Sequence, residues 1–133
     1  MHTSVASGTG SGRAVIMRYL EAAGGGDPDA FGELFAADMD MWWPQSDERF
    51  VGRANVMAAN RARAEMPLPD GEPRIVGDGD VWVLMLPIRY ASGERYQFVG
   101  VFELEGSTIR RATGFWASPF PAAPERAAYV DAS

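Results

Sequence analysis

Tyr19, Asp47 and Asn60 are the side chains whose type and setting could carry chemistry in this sequence. Tyr19 falls on the apolar face of an amphipathic segment, where its hydroxyl could donate to a carbonyl oxygen of a bound molecule. The alternative is a core tyrosine whose hydroxyl meets a backbone partner. Asp47 and its neighbour Glu48 stand in a polar loop at the expected mouth of the fold, where a carboxylate could move a proton or simply be solvated. Asn60 could reach inward from a helix as an amide donor, or lie exposed on it. Trp43 could stack on a planar substrate or pack in the core beside Trp116.

The missing residue types narrow the chemistry further. There is no cysteine, so disulfides, thiolate nucleophiles and Cys-based metal sites are excluded. The one histidine is His2, in a Ser/Gly-rich stretch, which removes a His base or His-ligated metal from the body of the chain. All 12 basic residues are arginine, so Schiff-base chemistry on lysine is impossible; the usage fits a GC-rich bacterial coding sequence. Any activity is therefore expected to use no metal and no organic cofactor. The net charge of −6 argues against nucleic acid, which requires a basic face, and against anionic membranes. No apolar run is long enough to span a bilayer, and the first dozen residues lack the apolar core of a secretion signal, so a cytoplasmic protein is expected.

These side chains need elements to hold them. At 133 residues and 47% hydrophobic, the chain suits one domain with one core, expected over residues 13–133 after a flexible tail at 1–12. Val15, Ile16, Tyr19, Leu20 and Ala23 share one face of a first helix, stopped by Gly24-Gly25-Gly26. Asp27-Pro28 starts a second helix with Phe31, Leu34 and Phe35 buried. Asp38 to Trp43 alternates as a short strand ended by Pro44, Gln45 to Gly52 reads as a loop, and Ala54 to Met66 as a third helix. The second half is a meander with strands at 74–76, 80–90, 96–104 and 108–116. Pro87 inside a strand marks a bulge or bend.

Reading Ser92-Gly93 as a two-residue hairpin turn fixes an expected register. It puts Met85, Pro87, Arg89, Tyr96, Phe98, Gly100, Gly114 and Trp116 on one concave face, with Val83, Phe102 and Ala112. Small residues at the centre would leave space and aromatics at the rim would close it over a small apolar ligand, unless the helices fill the face. The opposite face would carry Trp82, Leu84, Leu86, Ile88, Val99, Val101, Thr113 and Phe115, too apolar for water and most simply covered by a second copy in a homodimer.

The order helix, helix, strand, helix, long meander resembles the SnoaL-like polyketide cyclases and ketosteroid isomerases of the nuclear-transport-factor-2-like superfamily. The resemblance rests on Met17 to Glu21, Gly26-Asp27, Leu34 to Asp38, Trp43-Pro44, Val51-Gly52-Arg53 and the closing strand Ile109 to Trp116. It implies an α+β fold: a cone-shaped, curved antiparallel sheet wrapped by three N-terminal helices, as in cystatin-like α+β barrels. It also implies that Tyr19 stands where the steroid isomerases keep a tyrosine donor. Their two aspartate positions are Trp43 and Gly100 here, and no inward carboxylate pair flanks an inward arginine as in the superfamily's epoxide hydrolases. The expected function is a cofactor-free cyclase or isomerase acting on an apolar polyketide-like intermediate through shape and one or two donors. The alternatives are a non-catalytic binding protein for a hydrophobic metabolite, or an epoxide hydrolase or dehydratase of the same superfamily.

Overall fold

A computed structural model describes residues 4–63 and 65–131, with no side-chain detail for 4–11. Helix α1, Ser4–Gly25, ends at the glycine triplet. Of the flexible tail expected at 1–12, residues 1–3 lie outside the described residues and 4–12 belong to α1. The second helix is shorter and tighter than the spacing suggests, a 3-10 segment at Pro28–Leu34. Asp27 caps it as expected, accepting the Asp29 N–H at 3.0 Å. Helix α2 runs only over Arg53–Arg61, and Arg61 ties it to the 3-10 segment through Asp29 at 2.9 Å.

Seven strands form one sheet: β1 Phe35–Trp43, β2 Glu48–Val51, β3 Leu68–Pro69, β4 Arg74–Asp78, β5 Val81–Arg89, β6 Arg95–Glu105 and β7 Thr108–Ala117. The order is β2-β1-β7-β6-β5-β3, with β4 also on β5. The α+β cone is as expected, a curved and unclosed sheet faced by helices, but the sheet is mixed where an antiparallel one was expected, because β1 lies parallel to β7. The stretch read as a polar loop after Trp43 contains β2, paired to β1 by Trp43 opposite Glu48 and Asp40 opposite Val51.

The β5–β6 register differs from expectation by one residue. Tyr90, in place of the expected Ala91, stands opposite Glu94, with the Tyr90 N–H donating to Glu94 O at 2.9 Å, so the loop is the three residues 91–93. Gly93 takes φ +93°, the left-handed residue that such a loop requires. Leu86 therefore faces Phe98, Leu84 faces Gly100 and Trp82 faces Phe102. A one-residue slip exchanges the faces of a strand. Trp82, Leu84, Leu86 and Ile88, expected on the outer face, form the inner wall and are buried. Met85, Pro87 and Arg89, expected inside, point outward with Val83. On β7 the register is displaced by two residues, with an irregularity between Glu103 and Leu104. A two-residue shift keeps the face, so Ala112, Gly114 and Trp116 remain inside.

The concave face meets α1, the 3-10 segment and α2. Ile16, Met39, Val56, Leu84, Phe102 and Ile109 are fully buried between the layers. Helix α1 comes closest at Gly12, where a Cβ would overlap the Trp82 indole nitrogen. That indole cannot simply turn away, since its N–H donates to Gly79 O at 2.9 Å. Along the edge of β5, Leu68 and Pro69 of β3 pair with Arg89 and Ile88, while β4 pairs from Met85 onward. Pro87 sits at the break between these partners, its carbonyl accepting the Asp70 N–H at 2.8 Å. The expected irregularity at Pro87 is thus a change of edge partner.

Candidate functional site

The open end of the cone is furnished by five elements. The central turns of α1 bring Tyr19, the end of α2 brings Asn60 and Arg63, β1 brings Trp43, and β6 and β7 bring Phe98 and Trp116. These side chains border two adjoining spaces of about 30 and 50 Å³. Tyr19, Asn60, Arg63, Phe98 and Trp116 line both, so they form the partition between them. Each space has room for a few water molecules.

The central glycines do not open a hollow, which corrects the reading that small residues leave room for a ligand. A Cβ on Gly100 would meet the Phe102 ring at 2.7 Å and the Phe98 ring at 3.0 Å. A Cβ on Gly114 would meet the Trp116 ring at 3.1 Å. The glycines are bare so that neighbouring aromatic rings can lie flat across the sheet. Gly100 is inside yet borders neither space; Gly114 borders the first.

The aromatic wall is continuous. Trp43 meets Trp116 edge-on at 5.3 Å and Phe50 at 4.7 Å, and Phe98 meets Trp116 at 5.3 Å. Trp43 therefore packs beside Trp116 and also borders the first space. Gln45 fixes the Trp116 backbone from the β1–β2 turn: Gln45 Nε2 donates to Trp116 O at 3.0 Å, and Trp116 N–H donates to Gln45 Oε1 at 2.6 Å. This side chain acts as one further residue of sheet.

Tyr19 lies between Phe31 at 5.0 Å and Phe102 at 4.8 Å. Burial among these rings pushes its hydroxyl up to about 12, against the opposing pull of the Arg63 guanidinium. The group is thus a neutral donor at any physiological pH. Asn60, only 8% exposed, turns inward and settles the helix-face question. Among the described residues, no hydrogen-bond partner is found for the Tyr19 hydroxyl, the Asn60 amide or the Arg63 guanidinium, all of which face the same spaces.

Other expected site residues lie elsewhere. Asp47 is in the exposed β1–β2 turn with φ +57°, its N–H donating to Pro44 O, and borders neither space. Met85 is on the outer face between Arg74 and Val99. Pro87 and Tyr96 border an open groove near Phe120, and Arg89 is exposed opposite Arg95. Tyr96 does point inward, but rests edge-on against Tyr90 at 5.5 Å. Arg63 is the residue that reading of the sequence missed as a site group. Its signal was available: an arginine three positions after Asn60, one helical turn on, shares that residue's face.

No carboxylate borders either space among the described residues. The arrangement can hold a small apolar body against tryptophan and phenylalanine rings and donate hydrogen bonds to an oxygen on it. It has no paired acids for proton abstraction.

A family model described as a SnoaL-like domain matches residues 16–112. The fold is shared with solved structures. An NTF-2-like protein of unknown function from Burkholderia xenovorans is 28% identical with a TM-score of 0.79, covering 91% of this chain and 94% of its own. A candidate ketosteroid isomerase from Kribbella flavida is 25% identical with a TM-score of 0.81, covering 94% and 91%. Nuclear transport factor 2 from Cryptosporidium parvum, at 17% identity and a TM-score of 0.63 over 79% and 90%, shares the fold alone. No curated protein matches the chain.

Proposed function

Because the chain belongs to the SnoaL-like domain family, we propose that it is a cofactor-free cyclase or isomerase acting on an apolar, polyketide-like intermediate. The observation that carries this reading is the Tyr19 hydroxyl, which has no hydrogen-bond partner among the described residues, is held protonated by burial and borders with Asn60 an aromatic-walled space. In an intramolecular ring closure, an enol carbon bonds to a carbonyl carbon and charge moves onto the carbonyl oxygen. Tyr19 and Asn60 donate to that oxygen as the charge develops, the enol proton leaves to water at the mouth, and a proton returned through that water converts the oxygen to a hydroxyl. Donation of this kind contributes about 10²–10³ in rate for one group. The aromatic wall supplies orientation, which converts a flexible chain into a reactive conformer. The substrate body lies against the walls that the two spaces share.

The test is incubation of the full chain with a panel of linear polyketone mimics and cyclic enones, followed by mass spectrometry of products. A changed product is expected, with kcat down about 10²–10³-fold in Tyr19→Phe while the product still binds. Unchanged turnover in that variant removes Tyr19 from the mechanism. Binding without any chemical change supports the second reading, a carrier or sensor of a hydrophobic metabolite, which the lack of a carboxylate in the described site favours.

A homodimer through the outer face is part of the proposal. Val83, Met85, Val99, Val101 and Phe115 form a half-buried apolar strip there, between the ion pairs Asp40–Arg49 and Glu103–Arg111. Val101→Arg should shift the mass measured by light scattering from dimer to monomer; a monomeric parent protein refutes this part.

A further inference from the structure

We infer that the site selects ligands bearing a carboxylate on a planar apolar body, and that Arg63 is the residue that recognises the carboxylate. This inference rests on the pocket reading above and names the ligand class for it.

Arg63 is the only charged side chain bordering either inner space among the described residues. It follows α2 directly, where Arg63 N–H donates to Asn60 O at 3.3 Å, and its guanidinium lies 5.2 Å over the Trp116 ring. Five other arginines, at 49, 61, 95, 110 and 111, each pair with a carboxylate on the surface. Arg63 has no such partner among the described residues. The nearby Glu65 turns away, accepting the Ala91 N–H. An unpaired guanidinium beside apolar walls has lost part of its hydration, and a ligand anion restores it.

The geometry also sets the ligand's shape. The guanidinium fork binds the two oxygens of a carboxylate side by side, which an ammonium cannot do. Beside it, Trp116 and Trp43 offer flat faces and edges to a planar ring, and Tyr19 and Asn60 can donate to a further oxygen deeper in. Arg63, Trp43 and Trp116 also border an outer recess of about 270 Å³ with Gln45 and Ser46. Arg63 therefore stands where the recess meets the inner spaces and can hold the charged end of a ligand while the apolar body enters. Every polar group facing the inner spaces can donate, and no carboxylate there repels an anion.

The test uses the full chain and a matched set: 2-naphthoate, the neutral 2-naphthamide, and 2-naphthylmethylamine as the cation, measured by quenching of tryptophan fluorescence. Naphthoate should bind about tenfold more tightly than the amide, as expected for a charge-assisted pair, and the amine should bind most weakly. Arg63→Gln should bring acid and amide within about twofold with an unchanged melting temperature, and Arg63→Lys should fall between, since it keeps charge without the fork. Equal affinity for acid and amide in the parent protein overturns this inference and leaves the pocket reading standing. No binding of any probe overturns both. A preference for the acid that survives in Arg63→Gln and Arg63→Lys alike overturns the assignment to Arg63.

Discussion

Gly100→Ala and Gly114→Ala test whether the aromatic rings fill the centre of the sheet. An added Cβ at Gly100 would lie 2.7 and 2.8 Å from two atoms of Phe102 and 3.0 Å from Phe98. Both rings are buried, at 2% and 8% exposure, and the spaces they border hold no more than a few water molecules, so yielding to the methyl group costs packing. Overpacking of this kind costs about 1–3 kcal/mol. Against it stands a gain of about 0.4–1 kcal/mol, because alanine has fewer unfolded conformations than glycine. The net effect is destabilisation by about 1–2 kcal/mol. With a urea slope of about 1.5 kcal/mol per molar, the unfolding midpoint falls by about 1 M. At Gly114 the Cβ would lie 3.1 and 3.3 Å from the outer atoms of the Trp116 indole, a half-exposed ring that can swing outward. There the two effects nearly cancel, within about 0.5 kcal/mol, while the moved indole changes near-ultraviolet dichroism and ligand affinity. Urea unfolding followed by far-ultraviolet dichroism reads the comparison. A Gly100→Ala midpoint equal to or above the parent's would mean that the space over Gly100 is open, and the ring-covered description of the sheet would be wrong.

Other substitutions probe the supports of the site. Gly12→Ala sets a methyl group against the Trp82 indole and should lower stability by about 1–3 kcal/mol, read as a lower urea midpoint; a neutral effect refutes the close docking of α1. Gln45→Ala removes both bonds that hold the Trp116 backbone, and acrylamide quenching of tryptophan should increase; unchanged quenching would show that the aromatic wall holds itself. Tyr19 ionises near 10 in the unfolded chain and at about 12 when folded, so the folded state holds its proton longer. Its contribution is complete below pH 10 and is lost as pH rises from 10 to 12, by at most about 3 kcal/mol. Urea midpoints of the parent should therefore fall more steeply than those of Tyr19→Phe over that range; parallel curves would refute the buried hydroxyl.

The elements were largely legible in the sequence, and the faces were not. Strands β5, β6 and β7 appear within a residue or two of their expected bounds, because Val, Trp, Leu and Ile runs between glycine turns have few other readings. The face of β5 failed on one count, whether the turn contains two residues or three. The bulk of the side chains held the answer, since Trp82, Leu84, Leu86 and Ile88 outweigh Val83, Met85, Pro87 and Arg89 as a core-facing set. Strand β2 was hidden because Glu48-Arg49-Phe50-Val51 is an exposed edge whose polarity matches a loop. The parallel β1–β7 pairing joins residues more than 70 apart, and no local pattern encodes it. Within the site, Tyr19, Asn60, Trp43, Phe98 and Trp116 were identified from face and type. Arg63 was missed although its three-residue spacing from Asn60 was visible; the helix stops at Arg61, and the turn that follows brings the guanidinium over Trp116.

Pro87, at the break in the edge of β5, bears on how the protein behaves at high concentration. An uninterrupted sheet margin invites strands from other molecules and seeds aggregation. Here that margin is divided between the two-residue β3 and the five-residue β4, and the position between them has no amide hydrogen to offer. The opposite margin, β2, is four residues long and carries Glu48 and Arg49. Neither margin gives an incoming strand a long row of free donors and acceptors. The protein can thus keep an apolar strip on the broad outer face, available for a specific contact, while its ends resist the indiscriminate stacking that produces fibrils.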